Sequence, residues 1–315
     1  MGGDAVRGVD GRDQELARAF GTHRAHLVGV AYRLTGSRAD AEDAVQDAWL
    51  RLSRLGDAEL AEVRDLRGWL TTTVGRLCVD RLRSAQRRRE RYVGQWLPEP
   101  LVTTLEGGED DPLASVVRAD GVRMAAMVVL DELTPEQRVA VVLHDAFGVP
   151  FDEVAATLGC APATARQHAV RGRRTMAAAD PPPRAALVEQ REVLDRFLVA
   201  LRSGDVVAVT SLLHPDVRFI SDGGGRARTA LRVVVGAEKV ARLFLGLLRR
   251  HGTLPVTAGR AVLVNGDLGM MLAAGSGWGG RDEPGGRVTS FAIRDGLVLG
   301  VYEVVNPEKL VALPR

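Results

Sequence analysis

The stretch from Asp131 to Met176 leaves a chain like this few ways to fold. It reads DELTPEQRVAVVLHDAFGVPFDEVAATLGCAPATARQHAVRGRRTM. Thr134-Pro135-Glu136-Gln137 is a helix start, with a threonine N-cap, proline at the first helical position and a glutamine placed for a capping box. Phe151, Val154, Ala155 and Leu158 recur at i, i+3, i+4 and i+7, giving a second helix one apolar face. Gly159 ends that helix, and Pro162 and Thr164 open a third. Ala165, Ala169, Gly172 and Met176 fall on one side of it, and Arg166, Gln167, Arg171 and Arg174 on the other. A small-faced helix with an arginine- and glutamine-rich outer face, set after a tight glycine turn, suits a helix-turn-helix entering a major groove. The same spacing also fits a plain helical hairpin with solvated arginines.

Two further helical blocks precede it. Leu16, Phe20, Leu27, Val30, Ala31 and Leu34 form a stripe ending at Gly36, after a glycine-rich lead (residues 1–12) read as disordered. Ser37 then caps a helix whose inward face is Ala41, Val45, Ala48, Leu52 and Leu55. Its outward Asp40, Asp43, Gln46 and Asp47 fit either a solvated face or a docking surface for a basic partner. The next helix buries Leu66, Leu70, Val74 and Leu77 and becomes basic at Arg81, Arg83, Arg87, Arg88, Arg89 and Arg91. Because the whole chain carries a formal charge of only +2, basicity matters only where it is local. Such a run would neutralise several phosphates, and Trp69 and Tyr92 beside it suit an unpaired strand whose bases can stack. Thr71, Thr72 and Thr73 offer hydroxyls; the plainer alternative puts Trp69 in the core and the arginines in solvent.

Beyond this point the pattern changes. Residues 93–120 break the helical pattern, yet Trp96 and Leu97 are too apolar for ordinary linker and should pack on another domain. Glu106, Glu109, Asp110 and Asp111 read as an acidic spacer, or as an extended strand able to occupy a cationic channel. Pro181-Pro182-Pro183 marks a boundary. After it come a helix from Ala185 to Arg202, a short helix to His214, a strand running into the Gly223–Gly225 turn, and a helix from Glu238 to Arg250. Arg260–Ala274, Arg287–Arg294 and Leu297–Val305 read as strands of a curled antiparallel sheet. Helices followed by strands predict an α+β cone. His214, Asp222, Asp267, Tyr302 and Glu303 could bring a carboxylate to its pocket, which could take a small-molecule ligand, but no catalytic residue is assigned. Cys78 and Cys160, far apart and without a CxxC, read as reduced thiols. His23-xx-His26 lacks further ligands, so neither a metal nor a cofactor is expected. With no signal pattern and no apolar run near about 18 residues, a cytoplasmic protein without a membrane span is expected.

SRADAEDAVQDAWLRL, RGWLTTTVGRLCVDRLRS and the helix-turn-helix, in that order, resemble the bacterial group 4 (extracytoplasmic-function) RNA polymerase sigma factors. The resemblance implies a multidomain chain of two all-α sigma domains, a region 2 helical bundle (13–92) and a region 4 helix-turn-helix (121–179), joined by the linker (93–120). After a proline linker (180–184), residues 185–315 resemble the SnoaL-like branch of the NTF2-like fold. It implies docking on the clamp and flap of core polymerase, with Asp40, Asp43, Gln46 and Asp47 on the clamp surface. Trp69, Thr72, Arg76, Arg81, Arg83, Arg87 and Arg88 would open and read the −10 element. At −35, Thr164, Arg166, Gln167, Arg171, Arg173 and Arg174 would bind, with Arg166 and Gln167 nearest base edges. A subgroup carrying such an extension shares three signatures with this chain. These are YVGQWLPEP (containing Trp96, Leu97 and Pro98), SDGGGR (Asp222, Gly223, Gly224, Gly225, Arg226) and NPEKL (Asn306, Pro307, Glu308, Lys309, Leu310). Arg226 stands where that subgroup has lysine and Glu308 where it has aspartate; both charges survive. The extension is then expected to act through the linker in place of a separate anti-sigma protein, with Asp222, Gly223–Gly225 and Asn306–Leu310 forming or flanking the contact with YVGQWLPEP. Rival readings are an enzyme fused to the helical part, a ligand sensor, and a simple helix-turn-helix repressor.

Overall fold

Four helices open the chain in the computed structural model, which describes residues 3–105, 116, 122–252, 258–274, 286–311 and 313. They are α1 (Gly3–Thr35), α2 (Arg38–Ser53), α3 (Asp57–Glu62) and α4 (Leu66–Arg89). α1 therefore runs back through much of the lead read as disordered, since a nucleated helix adds each residue at little further cost. Ser37 caps α2 as expected, its hydroxyl accepting from the Asp40 amide at 3.3 Å. Downstream lie α5 (Met124–Asp131), α6 (Pro135–Val141) with a π turn (Val142–Ala146), α7 (Phe151–Leu158) and α8 (Pro162–Ala179). Thr134 and Gln137 close the capping box reciprocally at 3.3 Å.

The chain divides into two compact units. The first takes residues up to Gln86 together with Leu130–Ala178, so both helical blocks share one unit. Its core includes Leu27, Val30 and Leu34 from α1, Ala48 and Leu52 from α2, Leu70 and Val74 from α4, and Val139, Val154 and Ala165 from the later helices. α4 approaches the π turn so closely that a Cβ on Gly75 would lie 2.9 Å from Leu143. Arg138, only 1% exposed, donates to the Arg33 carbonyl and to Asp131, each at 2.9 Å, tying the end of α1 to α6.

The second unit takes Arg87 through the linker strand, Val122–Val129, and the chain from Ala179 onward. Its sheet contains β1 (Val102–Thr104), β2 (Leu213–Asp222), β3 (Val234–Val235), β4 (Arg260–Val264), β5 (Asp267–Leu272), β6 (Arg287–Arg294) and β7 (Leu297–Val304), in the order β1-β4-β5-β6-β7-β2-β3. Helices α9 (Leu187–Ser203), α10 (Val206–Ser211) and α11 (Ala237–His251) complete it. Phe197, Leu201, Val240 and Leu245 from the helices meet Phe219, Phe291 and Val301 from the sheet in one apolar cluster. This is the expected α+β cone.

Three details differ from expectation. The sheet is mixed, because β2 and β7 are parallel; the long excursion between them, including α11, returns the chain in the same direction. The stretch read as one strand over Arg260–Ala274 is the hairpin β4–β5, turned at Asn265-Gly266 with φ of 52° and 80°. The linker itself supplies β1, whose Val102, Thr103 and Thr104 pair antiparallel with Val264, Leu263 and Val262. The acidic stretch from Glu106 to Asp111 lies outside the described residues.

Candidate functional site

The helix-turn-helix is built as its sequence spacing requires. Gly159 caps α7 in the left-handed conformation (φ 66°), a turn in which a Cβ is strained. Ala165, Ala169 and Gly172 are buried on α8, and a Cβ on Gly172 would lie 2.6 Å from Val141. Opposite them, Thr164, Arg166, Gln167, Arg171 and Arg174 are exposed. Arg173 differs from its neighbours: it grips Asp145 with two hydrogen bonds at 2.8 and 2.5 Å, which raises its pKa above the ordinary arginine value. The outer face of α8 therefore presents four exposed polar or basic side chains besides Thr164 and Arg173's engaged fork, a layout able to meet phosphates and base edges.

On the other helical block, Asp43 and Gln46 are exposed, and Asp40 and Asp47 half-buried. Asp47 accepts from Arg81 at 2.9 Å, joining a residue assigned to polymerase docking with one assigned to the −10 element. Burial alone would lower the pKa of Arg81, but the hydrogen bond and charge of Asp47 raise it. Arg83 pairs with Glu136 at 3.3 Å. Arg76, Arg87 and Arg88 are exposed and Trp69 is partly so. Thr72 is buried, its hydroxyl donating to the carbonyls of Gly68 and Trp69 along its own helix.

His26 sits in the packing of the first unit. Arg67 lies 3.2 Å from Nδ1 and Thr71 Oγ1 lies 2.9 Å from Nε2. An arginine can only donate, so Nδ1 is the acceptor and the ring is neutral, with Nε2–H donating to Thr71. Burial first, then Arg67, His23 and Arg33, lowers its pKa to about 4 from an ordinary 6.5. Unfolding restores the higher affinity for protons, so stability from this site is present above pH 6.5 and is lost as pH falls toward 4. The melting temperature is expected to drop more steeply over that window in the wild type than in His26→Gln. Parallel slopes would refute the assignment.

The three signatures of the linker and the extension converge in the second unit. Asp222, with no exposed side-chain surface, accepts at Oδ1 from Tyr92 (2.6 Å) and at Oδ2 from the Leu97 amide (2.8 Å) and Lys309 Nζ (2.7 Å). Tyr92 in turn accepts from Asn306 Nδ2 at 2.8 Å, and Lys309 also donates to the Leu97 carbonyl. Burial and the carboxylate of Asp222 push the Tyr92 pKa above its usual value, keeping the phenol protonated as a donor. The Lys309 ammonium lies 4.1 Å from the Trp96 ring centroid, and the Arg89 guanidinium stacks at 3.5 Å on the same ring. Leu97 is wholly buried with Ile220, Val304 and Leu310, and Pro98 is buried beside it. Gly224 (φ 58°) packs where any Cβ would meet the Asn306 amide and Tyr92, so glycine is required twice over. Gly223 is buried, Gly225 abuts Val93, and Pro307 starts the short 3-10 turn that Asn306 caps. Arg226 and Glu308 form an exposed ion pair at 2.7 Å, so the two altered positions meet each other. We call this arrangement the clasp. Arg89 belongs to it from the end of the basic helix, and Tyr92, which flanks that helix, is also the first residue of the YVGQWLPEP signature.

The candidate pocket carboxylates separate. Asp267 is taken up by Arg123 (2.9 Å) and Arg184 (3.1 Å), with Gln190 at 3.3 Å, and Asp222 belongs to the clasp. The His214 ring accepts from the Asp216 amide. Tyr302 packs against Leu97, Ile220 and Val304. Glu303 lines a cavity between α9, α11 and the sheet, and it is paired with Arg287 at 2.6 Å. Among the described residues no cluster of metal-ligating side chains occurs, and no helix is long and apolar enough to cross a membrane.

The chain is similar to known proteins over most of its length. The family descriptions Sigma-70 region 2 and Sigma-70, region 4 match residues 19–88 and 123–176. The chain is 48% identical over 301 residues to the ECF RNA polymerase sigma factor SigJ of Mycobacterium tuberculosis, covering 94% of this chain and 93% of that one. It is 32% identical over 299 residues to the probable ECF RNA polymerase sigma factor SigI of the same species, covering 94% of each. The crystal structure of M. tuberculosis SigJ is similar with a TM-score of 0.79 at 46% identity, over 95% of this chain and 99% of that one.

Proposed function

Because the chain belongs to the extracytoplasmic-function RNA polymerase sigma factors, we propose that the clasp is the element through which its C-terminal unit regulates initiation in cis. Region 2 and region 4 supply the binding to core polymerase and to −10 and −35 promoter elements. The observation that carries the regulatory reading is Asp222, which gathers Tyr92, the Leu97 amide and Lys309 onto one buried carboxylate. A linker held this way is committed to the C-terminal unit as long as the clasp is closed, and no separate anti-sigma protein is needed to restrain it. The work is binding, not bond chemistry, a reading supported by the two donors, Arg287 and the Ser221 hydroxyl, that already engage the Glu303 carboxylate. Polymerase and promoter place its site of action in the cytoplasm.

The test is promoter-dependent transcription with purified core polymerase and the full chain, wild type against Asp222→Asn. Initiation by the wild type and a changed yield with the variant are expected. No initiation together with no polymerase binding would remove the sigma reading; equal yields would remove the regulatory one. Within region 4, Gln167→Ala should relax selectivity at one −35 position by about 1–3 kcal/mol, as loss of a base contact does. Arg174→Ala should instead weaken all promoters about evenly and lower the salt dependence. A competition assay over a promoter library separates the two, and a promoter-specific loss for Arg174→Ala would count against its phosphate role.

A further inference from the structure

We propose that the cavity of the C-terminal unit binds a small neutral molecule, with an apolar body and one hydrogen-bonding head, and that its occupancy tightens the clasp. The cavity measures about 70 Å³, and Phe197, Leu201, Phe244, Leu248 and Met270 form its apolar wall. Water alone needs about 10–15 Å³ on this measure, and close-packed cores seldom leave more. This cavity is several times larger, partly open to solvent and walled mainly by apolar groups; an enclosed void of about 150 Å³ holds a benzene, so a one-ring molecule would seat here in part, with the rest at the mouth.

Its polar end selects the head group. Glu303 Oε1 is held by Arg287 at 2.6 Å and Oε2 by the Ser221 hydroxyl at 2.9 Å, and Thr289 lies opposite Glu303 in the register of β6 and β7. The Arg287–Glu303 pair sums to zero charge, so an ionic ligand would enter without a counter-charge and is disfavoured. A carboxylate offers about four acceptor directions, so Glu303 can accept one further O–H or N–H from a ligand.

The same strand connects this end to the clasp. Ser221 and Asp222 are neighbours on β2, and successive side chains of a strand point to opposite faces. Ser221 pairs in register with Glu303 and holds its carboxylate; Asp222 pairs with Val304 and holds the linker on the other face. A ligand that fixes Glu303 therefore stiffens the strand end on which Asp222 is mounted. The regulatory consequence rests on the reading of the clasp given above, whereas the binding does not.

The full chain should be titrated with p-cresol and with toluene, which differ by one hydroxyl, following thermal unfolding and the exchange rate of the Leu97 amide. p-Cresol should raise the melting temperature saturably and bind about tenfold more tightly than toluene, the worth of one hydrogen bond. It should also slow Leu97 exchange, because that amide donates to Asp222. Leu248→Trp, which fills the cavity, should abolish both effects; Met270→Phe serves as a second filling variant should the first not fold. No saturable shift, an undiminished shift in a folded cavity-filled variant, or binding that leaves Leu97 exchange unchanged each overturns the proposal. None of these readouts uses polymerase, so failure here is distinct from failure of the sigma or clasp readings.

Discussion

Replacing Asp222 with alanine is expected to destabilise the C-terminal unit by about 3–5 kcal/mol, the cost of leaving a buried charge without its partner. The carboxylate has no exposed surface, and its removal takes one shared acceptor from the Lys309 ammonium, the Tyr92 hydroxyl and the Leu97 amide together. Lys309 would keep the Leu97 carbonyl and the faces of Trp96 and Tyr92, contacts weaker than the carboxylate it loses. The linker should then loosen as far as its buried Leu97 and Leu101 allow, and β1 with it. Denaturant unfolding gives the energy, and amide exchange at Leu97 gives the location. Asp222→Asn keeps the shape and one acceptor oxygen, so its loss should be smaller. A loss under about 1 kcal/mol for the alanine variant, with Leu97 exchange unchanged, would show that apolar burial of Leu97 and not the charge network holds the linker.

The parts of this molecule that were legible in its sequence are those decided by neighbours in the chain. The Thr134–Gln137 capping box and the Gly159 turn are local devices, and each forms as its residues require. The buried face of α8 follows from spacing alone. Pairing over distance was legible only in outline, as an expected contact of the two turns with the linker and not as the side chains that make it. Trp96–Pro98, the Asp222 turn and the Asn306–Leu310 segment are recognisable signatures, yet no periodicity says that Tyr92 reaches across 130 positions to Asp222. β1 escaped because three residues following Pro98 and Pro100 carry too little pattern, and its strand character comes from pairing with the edge of β4. The Asn265-Gly266 turn was a readable hairpin signal, obscured by apolar residues on both sides. Buried charges were the largest omission. Arg138 and Arg123 look like surface residues in a string of letters, and only the fold shows that both are nearly inaccessible.

That second arginine underlies the other large effect, expected for Asp267→Ala. Asp267, with 3% of its side chain exposed, accepts from Arg123 at one oxygen and from Arg184 and Gln190 at the other. Arg123 is 9% exposed on its side chain and also donates to the Pro182 carbonyl, so it joins Val122–Val129, the proline segment and β5 within one unit. Removing the carboxylate leaves the nearly inaccessible Arg123 guanidinium without its counter-charge and beside the positive charge of Arg184, and a loss of about 3–5 kcal/mol is expected. Arg184→Ala should be much milder, about 1 kcal/mol, because Arg184 is 24% exposed and Asp267 keeps its ion pair with Arg123. The Leu268 amide, which donates to Gln190 at 2.6 Å, reports on the same site by exchange. If the two substitutions cost the same, the pair Arg123–Asp267 contributes nothing on its own, and the proline segment is held by contacts that do not need the carboxylate, such as the bond from Arg123 to the Pro182 carbonyl.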